Sequence, residues 1–490
     1  MKKELIINIS PDRKLFKWGP IEFRLFYGSF FMNTIWLKIH KLYSWSWPSL
    51  LSVFKNGKVT MVLDDGKLRA SGMKYFNKYF LNQENFRKHW QKYLEWIEQF
   101  KIFIKKLEKV NLSEINDDQL VVLFEKYFDL QKKFWLIAHV PEIANLGGER
   151  MFLNKLNSIN KDKAEAELEI LSTPDKYSFF QKEELELLKI GLIKDERRMK
   201  SVLDRHAKKY SWLLNSYGGN RLLDSKYFEN RLNKSVKRGN VDKQIRKIQN
   251  VAIGNKRRKE KLLQKFNKEI KVISKQLSYS IWWQDHRKSY IWRMHYWDDR
   301  LLKEISKRKE VSYNDLVWFW PKEICDLLKG KKINENTIRL RKKDYVVYYK
   351  DKSTRYKEYY GKDAKFIYNK YLKSQVNILY QEIKGLVVSQ GKSNRIIGRV
   401  AIIRNPFRDK GKMKQGDILV AGMTSPEFIV LIKKAKAIIT DQGGMTSHVA
   451  IISRELGIPC VVGTDIATKI LKNGDKIEID IRQGKINKIL

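Results

Sequence analysis

The stretch from Lys434 to Thr464, KAKAIITDQGGMTSHVAIISRELGIPCVVGT, constrains this chain more than any other. The run Ala437 to Thr440 is short, apolar and β-branched, which predicts a buried strand. Asp441-Gln442-Gly443-Gly444 breaks it, and Thr446 or Ser447 offers an N-cap side chain to a following helix. That helix is expected from about His448 to Leu456, closed by Gly457 at the C′ position with Pro459 just beyond. Strand, glycine loop and helix together place His448 at a helix N-terminus. Unpaired N–H groups there attract anions, and the positive end of the dipole disfavours imidazolium. A neutral ring nitrogen beside an anion site meets the two conditions for a histidine that accepts a phosphoryl group.

Gly443-Gly-Met-Thr-Ser-His448-Val-Ala-Ile-Ile-Ser-Arg454-Glu-Leu-Gly457-Ile-Pro459 closely resembles the phosphohistidine signature of the PEP-utilising enzymes. That family includes phosphoenolpyruvate synthase, pyruvate phosphate dikinase and rifampin phosphotransferase. In it, a histidine on a swivelling domain takes phosphate at one site and carries it to another. The resemblance implies that His448 is the phospho-acceptor and that Gly443, Gly444, Thr446 and Ser447 shape the phosphate loop, with Arg454 in support. Two blander readings stand beside it: a helix-capping histidine without chemistry, and a decayed domain that is no longer phosphorylated.

The chain of 490 residues has room for two to four domains. Its two cysteines, Cys325 and Cys460, provide no disulfide framework and no metal-ligand spacing, which suits a reducing cytoplasm. The N-terminus lacks the apolar core of a signal peptide, and the most apolar window, Leu25 to Leu37, is too short to span a bilayer. A soluble, cytoplasmic protein is expected. The formal charge of +44 invites a nucleic-acid reading. From Leu386 onward, however, there are 18 basic and 9 acidic residues, so the excess is spread evenly along the chain rather than gathered into a stripe. The densest cluster, Lys256-Arg-Arg-Lys-Glu-Lys261, falls in a helical pattern and reads as a solvated face.

Residues 1–70 give mixed apolar runs and one small hairpin, with Asn56-Gly57 and Asp65-Gly66 as turn signals flanking Val59 to Leu63. Residues 71–370 turn helical. Asn82 precedes a segment with Phe86, Trp90, Tyr93, Leu94, Ile97 and Phe100 at helical spacing. Asp117 or Asp118 can cap a second helix, and a third is expected around Phe134 to Ala144. Residues 225–277 read as an exposed helical hairpin or a partly disordered arm. Trp282, Trp283, His286, Tyr290, Arg293 and Trp297 recur at helical spacing, and Trp320-Pro321-Lys-Glu323 starts another helix that Gly330 ends. This succession resembles, more loosely, the segment before the swivelling domain in phosphoenolpyruvate-synthase-like proteins. His286 with Arg287, or His295, can reach a pocket, although a structural role is the commoner fate of each.

A linker is expected over 371–384, followed by alternating strands and turns from 385 to 490, the β/α layout of the swivelling domain. The expected architecture is thus multidomain, a large mainly α-helical N-terminal region followed by a C-terminal α/β swivelling phosphohistidine domain. No glycine-rich nucleotide loop and no acidic pair for Mg²⁺ stands upstream, so neither an ATP-grasp domain nor, with Leu490 ending the chain, a PEP-binding barrel is expected. The resemblance then implies Mg²⁺ and ATP or PEP bound by an ATP-grasp-like partner, with no cofactor or metal in this chain. The function expected is a phosphotransferase component acting on an unknown acceptor. A regulatory scaffold that keeps the domain only for docking, or a basic nucleic-acid-binding helical protein, is the alternative.

Overall fold

The computed structural model describes residues 7–489 except 44–46, 238, 333, 374–381, 392 and 446. It is mostly helical, with an α/β domain at the C-terminal end, and it divides into two compact units whose segments interleave along the chain. One unit takes residues 1–148, 217–219 and 294–375; the other takes 149–216, 220–293 and 376–490. The chain thus enters each unit more than once, which the expected boundaries at 70 and 370 did not foresee.

The first unit holds an antiparallel sheet of β1 (Leu15–Glu22), β2 (Leu50–Lys55), β3 (Lys58–Asp64), β4 (Asp344–Tyr349) and β5 (Tyr356–Tyr360), in the order β1-β3-β2-β4-β5. β2 and β3 form the expected hairpin, and Asn56 and Gly57 both take positive φ at its turn. Asp65-Gly66 behaves differently. The Asp64 carboxylate accepts from the Lys67 N–H and caps the helix Asp65–Phe76, so the second turn signal is a helix start. One sheet face packs Leu51, Val53, Val62 and Val346 on Ala364, Ile367 and Tyr371 of the helix Gly361–Leu372.

The expected helices of this unit form, with shifted caps. Asn82 caps Gln83–Leu107. Asn116, rather than Asp117 or Asp118, caps Asp117–Ala138, in a reciprocal box with Gln119. His139 lies at the joint between that helix and Val140–Asn160, not inside a third one. Pro321 opens Pro321–Leu328, where Glu323 accepts from the Trp320 N–H.

In the second unit the polar stretch after Ser225 is helical, as Ser225–Lys237, Val241–Leu263 and the start of Lys268–Lys309. Its sparse apolar marks suffice: Val241 and Ile245 pack on Leu188, and Phe228 and Leu232 are buried. The basic cluster is not wholly solvated. Lys259 is 4% exposed and donates to the Thr173 carbonyl, Ser278 and Asp175.

The C-terminal sheet of the second unit has eight strands: β6 (Ile383–Lys384), β7 (Leu386–Ser389), β8 (Arg395–Ile402), β9 (Ile418–Ala421), β10 (Ala437–Thr440), β11 (Cys460–Val462), β12 (Lys476–Asp480) and β13 (Lys485–Lys488). They lie in the order β6-β13-β12-β8-β9-β10-β11-β7. β8 to β11 are parallel neighbours, with antiparallel strands on either side. Buried Val400, Ile418, Val420, Ile439, Val461, Ile477 and Ile479 form its core. Each such side chain contributes about 1.5–3 kcal/mol by burial. Among the described residues no helix is long and apolar enough to cross a membrane.

Candidate functional site

The site grows from the carboxyl end of β10. After Thr440 the chain leaves the sheet, with the Asp441 N–H donating to the Ala421 carbonyl and the Gln442 N–H to that of Gly422. The Asp441 carboxylate accepts from the Thr468 N–H and from the hydroxyls of Thr464 and Thr468, which pins the loop to the domain. Gly443 has φ +136°, a backbone conformation that side chains rarely adopt. The Met445 N–H donates to Glu149 at 3.2 Å. Ser447 caps the helix His448–Leu456 by accepting from the Ala450 N–H, and Gly457 closes it with φ +64°. Thr446 lies outside the described residues.

His448 is therefore the first residue of the helix, as its sequence dictates. Both ring nitrogens are buried and neither has a hydrogen-bond partner, although the residue as a whole is only half-buried. The Phe180 ring stands edge-on with its centroid 6.4 Å away. Burial first, and the Lys288 charge second, pull the imidazole pKa down to about 3, so the ring is neutral at physiological pH. A neutral, unpartnered imidazole at a helix N-terminus keeps a lone pair for nucleophilic attack.

The helix His448–Leu456 packs on the helical part of its own unit. Glu455 accepts from the Ser178 hydroxyl at 2.9 Å, and Asp285 accepts from the neighbouring Phe179 N–H at 3.2 Å. Burial and the adjacent Asp285 hold the Glu455 carboxyl well above the usual carboxylate range. Burial likewise pushes Asp285 up to about 6, against the pull of Lys288. Lys433 pairs with Glu184 at 2.5 Å. Arg454, 5% exposed, donates from Nε to the Val388 carbonyl and from Nη2 to the Met445 thioether.

Glu149, Phe180, Asp285 and Lys288 were not singled out by the sequence, because each approaches His448, its loop or the far end of its helix at Glu455 from a helix distant in the chain. Asp285 and Lys288 do fall in the tryptophan-rich stretch, but on a different helical face from His286. His286 stacks on Trp282 with centroids 4.9 Å apart. His295 lies between the rings of Tyr27 and Tyr217 in the other unit, so it is not gathered into this site.

Among the described residues no group of three His, Cys, Asp or Glu side chains is placed to hold a metal ion. With Asp441 satisfied by donors from Thr464 and Thr468, the loop as folded does not fit Mg²⁺.

Residues 413–484 match the family model described as "PEP-utilising enzyme, mobile domain". The C-terminal domain belongs to that family. The phosphoenolpyruvate synthase of Pyrococcus furiosus is 50% identical over 106 residues, which are 22% of this chain and 12% of that protein. A probable phosphoenolpyruvate synthase of Methanothermobacter thermautotrophicus is 49% identical over 104 residues, 21% of this chain and 15% of its own length. The likeness thus spans a small fraction of these relatives and is confined to the mobile domain. Among solved structures, Thermococcus kodakaraensis aconitase X (holo-form) is 22% identical over 23% of this chain and all of that one, with a TM-score of 0.19.

Proposed function

We propose that this protein relays a phosphoryl group through His448, borne on the mobile domain, from a donor bound by a partner to a small-molecule acceptor. The supporting observation is the His448 ring itself, neutral and without a hydrogen-bond partner at the first turn of a helix in a mobile domain of this family. Gly443, Gly444, Thr446 and Ser447 shape the loop that receives the phosphoryl oxygens, and Arg454 supports the helix from behind. In the first half-reaction an imidazole nitrogen forms a P–N bond while the donor's P–O bond breaks. In the second the P–N bond breaks and an acceptor oxygen takes the phosphorus, releasing its proton to solvent. Little covalent work falls to the protein, so catalysis consists of positioning and charge stabilisation. The donor is ATP or PEP, held with Mg²⁺ by an ATP-grasp-like partner in the cytoplasm.

The packing of the helix His448–Leu456 covers both ring nitrogens, so transfer requires this carrier helix to leave its seat. Incubating the full chain with its partner and a ³²P-labelled donor should give acid-labile, base-stable label on His448. Equal labelling of His448→Ala would end the proposal. The burial of the ring also favours a second reading, a docking module that holds phosphate without passing it on. A phosphorylated chain that releases its label to no small molecule would select that reading.

A further inference from the structure

A small cleft of about 30 Å³, open at its mouth, lies at the other end of the helix His448–Leu456 from His448. Arg454, Glu455 and Ile451 of that helix line it on one side; Lys176, Gln181 and Asn255 are among the residues on the other. We propose that this cleft is a binding site for a small phosphate-class oxyanion, which bridges the carrier helix to the helical segment and holds the docked state.

The anchor is Arg454. Its guanidinium is buried, and Nη1 has no hydrogen-bond partner. The acceptor of Nη2 is a thioether, a weak one. Among the described residues no carboxylate closes an ion pair on it, and Glu169 and Glu149 act on its charge only as neighbours. A buried guanidinium left one donor short is expensive, and an oxyanion matches its fork of N–H groups. Lys176 brings a second cation, stacked over Trp282 at 4.1 Å. The carboxylates at the cleft do not oppose an anion strongly. Asp175 is engaged by Lys259, and Glu455 accepts from the Ser178 hydroxyl, with burial disfavouring its charged form. Asn255 and Gln181 add neutral amide donors.

The site is independent of whether His448 carries phosphate, and calorimetric titration of the full chain tests it. Inorganic phosphate and phosphoenolpyruvate are the separate probes. Tighter binding of phosphoenolpyruvate assigns the site to a phosphorylated metabolite, and binding of phosphate alone assigns it to the free ion. Lys176→Ala and Asn255→Ala, both surface changes, should each weaken binding about tenfold, while His448→Ala leaves it unchanged. Arg454→Gln should abolish binding, with its thermal melt checked in parallel; the two surface variants decide the matter if it does not fold. Absence of saturable binding to the wild-type chain overturns the proposal. So does binding indifferent to Lys176→Ala and Asn255→Ala, or binding lost in His448→Ala, which would put the anion on the histidine loop instead.

Discussion

His448 and Asp285 answer pH in opposite directions, although both belong to one packed surface. The buried imidazole, drawn down to about 3, binds fewer protons than a free ring near 6.5, so the packing that buries it weakens as pH falls through that free value. Asp285, pushed up to about 6, binds more protons than a free carboxyl near 3.8. Its contribution is complete below the free value and is lost as pH rises through about 6. Asn at 285 keeps an oxygen to accept the Phe179 N–H but has no proton to lose. Asp285→Asn should therefore raise stability at pH 7.5 by roughly 1–3 kcal/mol and leave it little changed below pH 4. Thermal melts across that range check it. A variant melting below the wild type at pH 7.5 would show that the ionised carboxylate is needed where it lies. The sequence could not have nominated this residue: its chemistry comes from Ser178, Phe179 and Glu455, and no spacing along the chain announces their meeting.

Among the elements, those with local punctuation were legible. The strand Ala437–Thr440, the Ser447 cap, the helix to Leu456 and the left-handed Gly457 are all set by residues within one short window. Asn82 and Pro321 marked helix starts for the same reason. Asp65-Gly66 misled because a carboxylate one residue earlier, on Asp64, turned a turn signal into a cap. β4 was read only as part of a helical succession, since its partner β2 lies far back in the chain. Close helix crossings were equally hidden. Gly72 of Asp65–Phe76 and Gly147 of Val140–Asn160 meet backbone to backbone, and a Cβ on Gly147 would fall 1.9 Å from the Met73 nitrogen. No flexible side chain can yield there. Gly147→Ala should destabilise the unit by about 3 kcal/mol or more, beyond the helix propensity gained. Denaturant melts decide the point, and a neutral or stabilising substitution would mean that the two helices stand further apart than described.

At the scale of the whole molecule, the sequence placed the C-terminal domain well because its motif is contiguous, and described the rest poorly because both units are assembled from distant segments. The same assembly brings the carrier's seat within reach of a functional test. Lys433, just beyond a short helix of the C-terminal domain, pairs with Glu184 of the helix Phe179–Ile190, and both side chains are about one-quarter exposed. Such a pair is worth only about 1 kcal/mol, too little to hold the fold but enough to bias a docking equilibrium several-fold. Glu184→Arg sets like charges together and should free the carrier more often. If His448 must leave its seat to be phosphorylated, the variant's initial labelling rate should rise about three- to tenfold, with faster amide exchange along His448–Leu456. Adding Lys433→Glu restores an ion pair of opposite polarity and should return both readouts toward wild type. Labelling that slows in Glu184→Arg and recovers in the double variant would reverse the picture, making the docked arrangement the one in which phosphate is received.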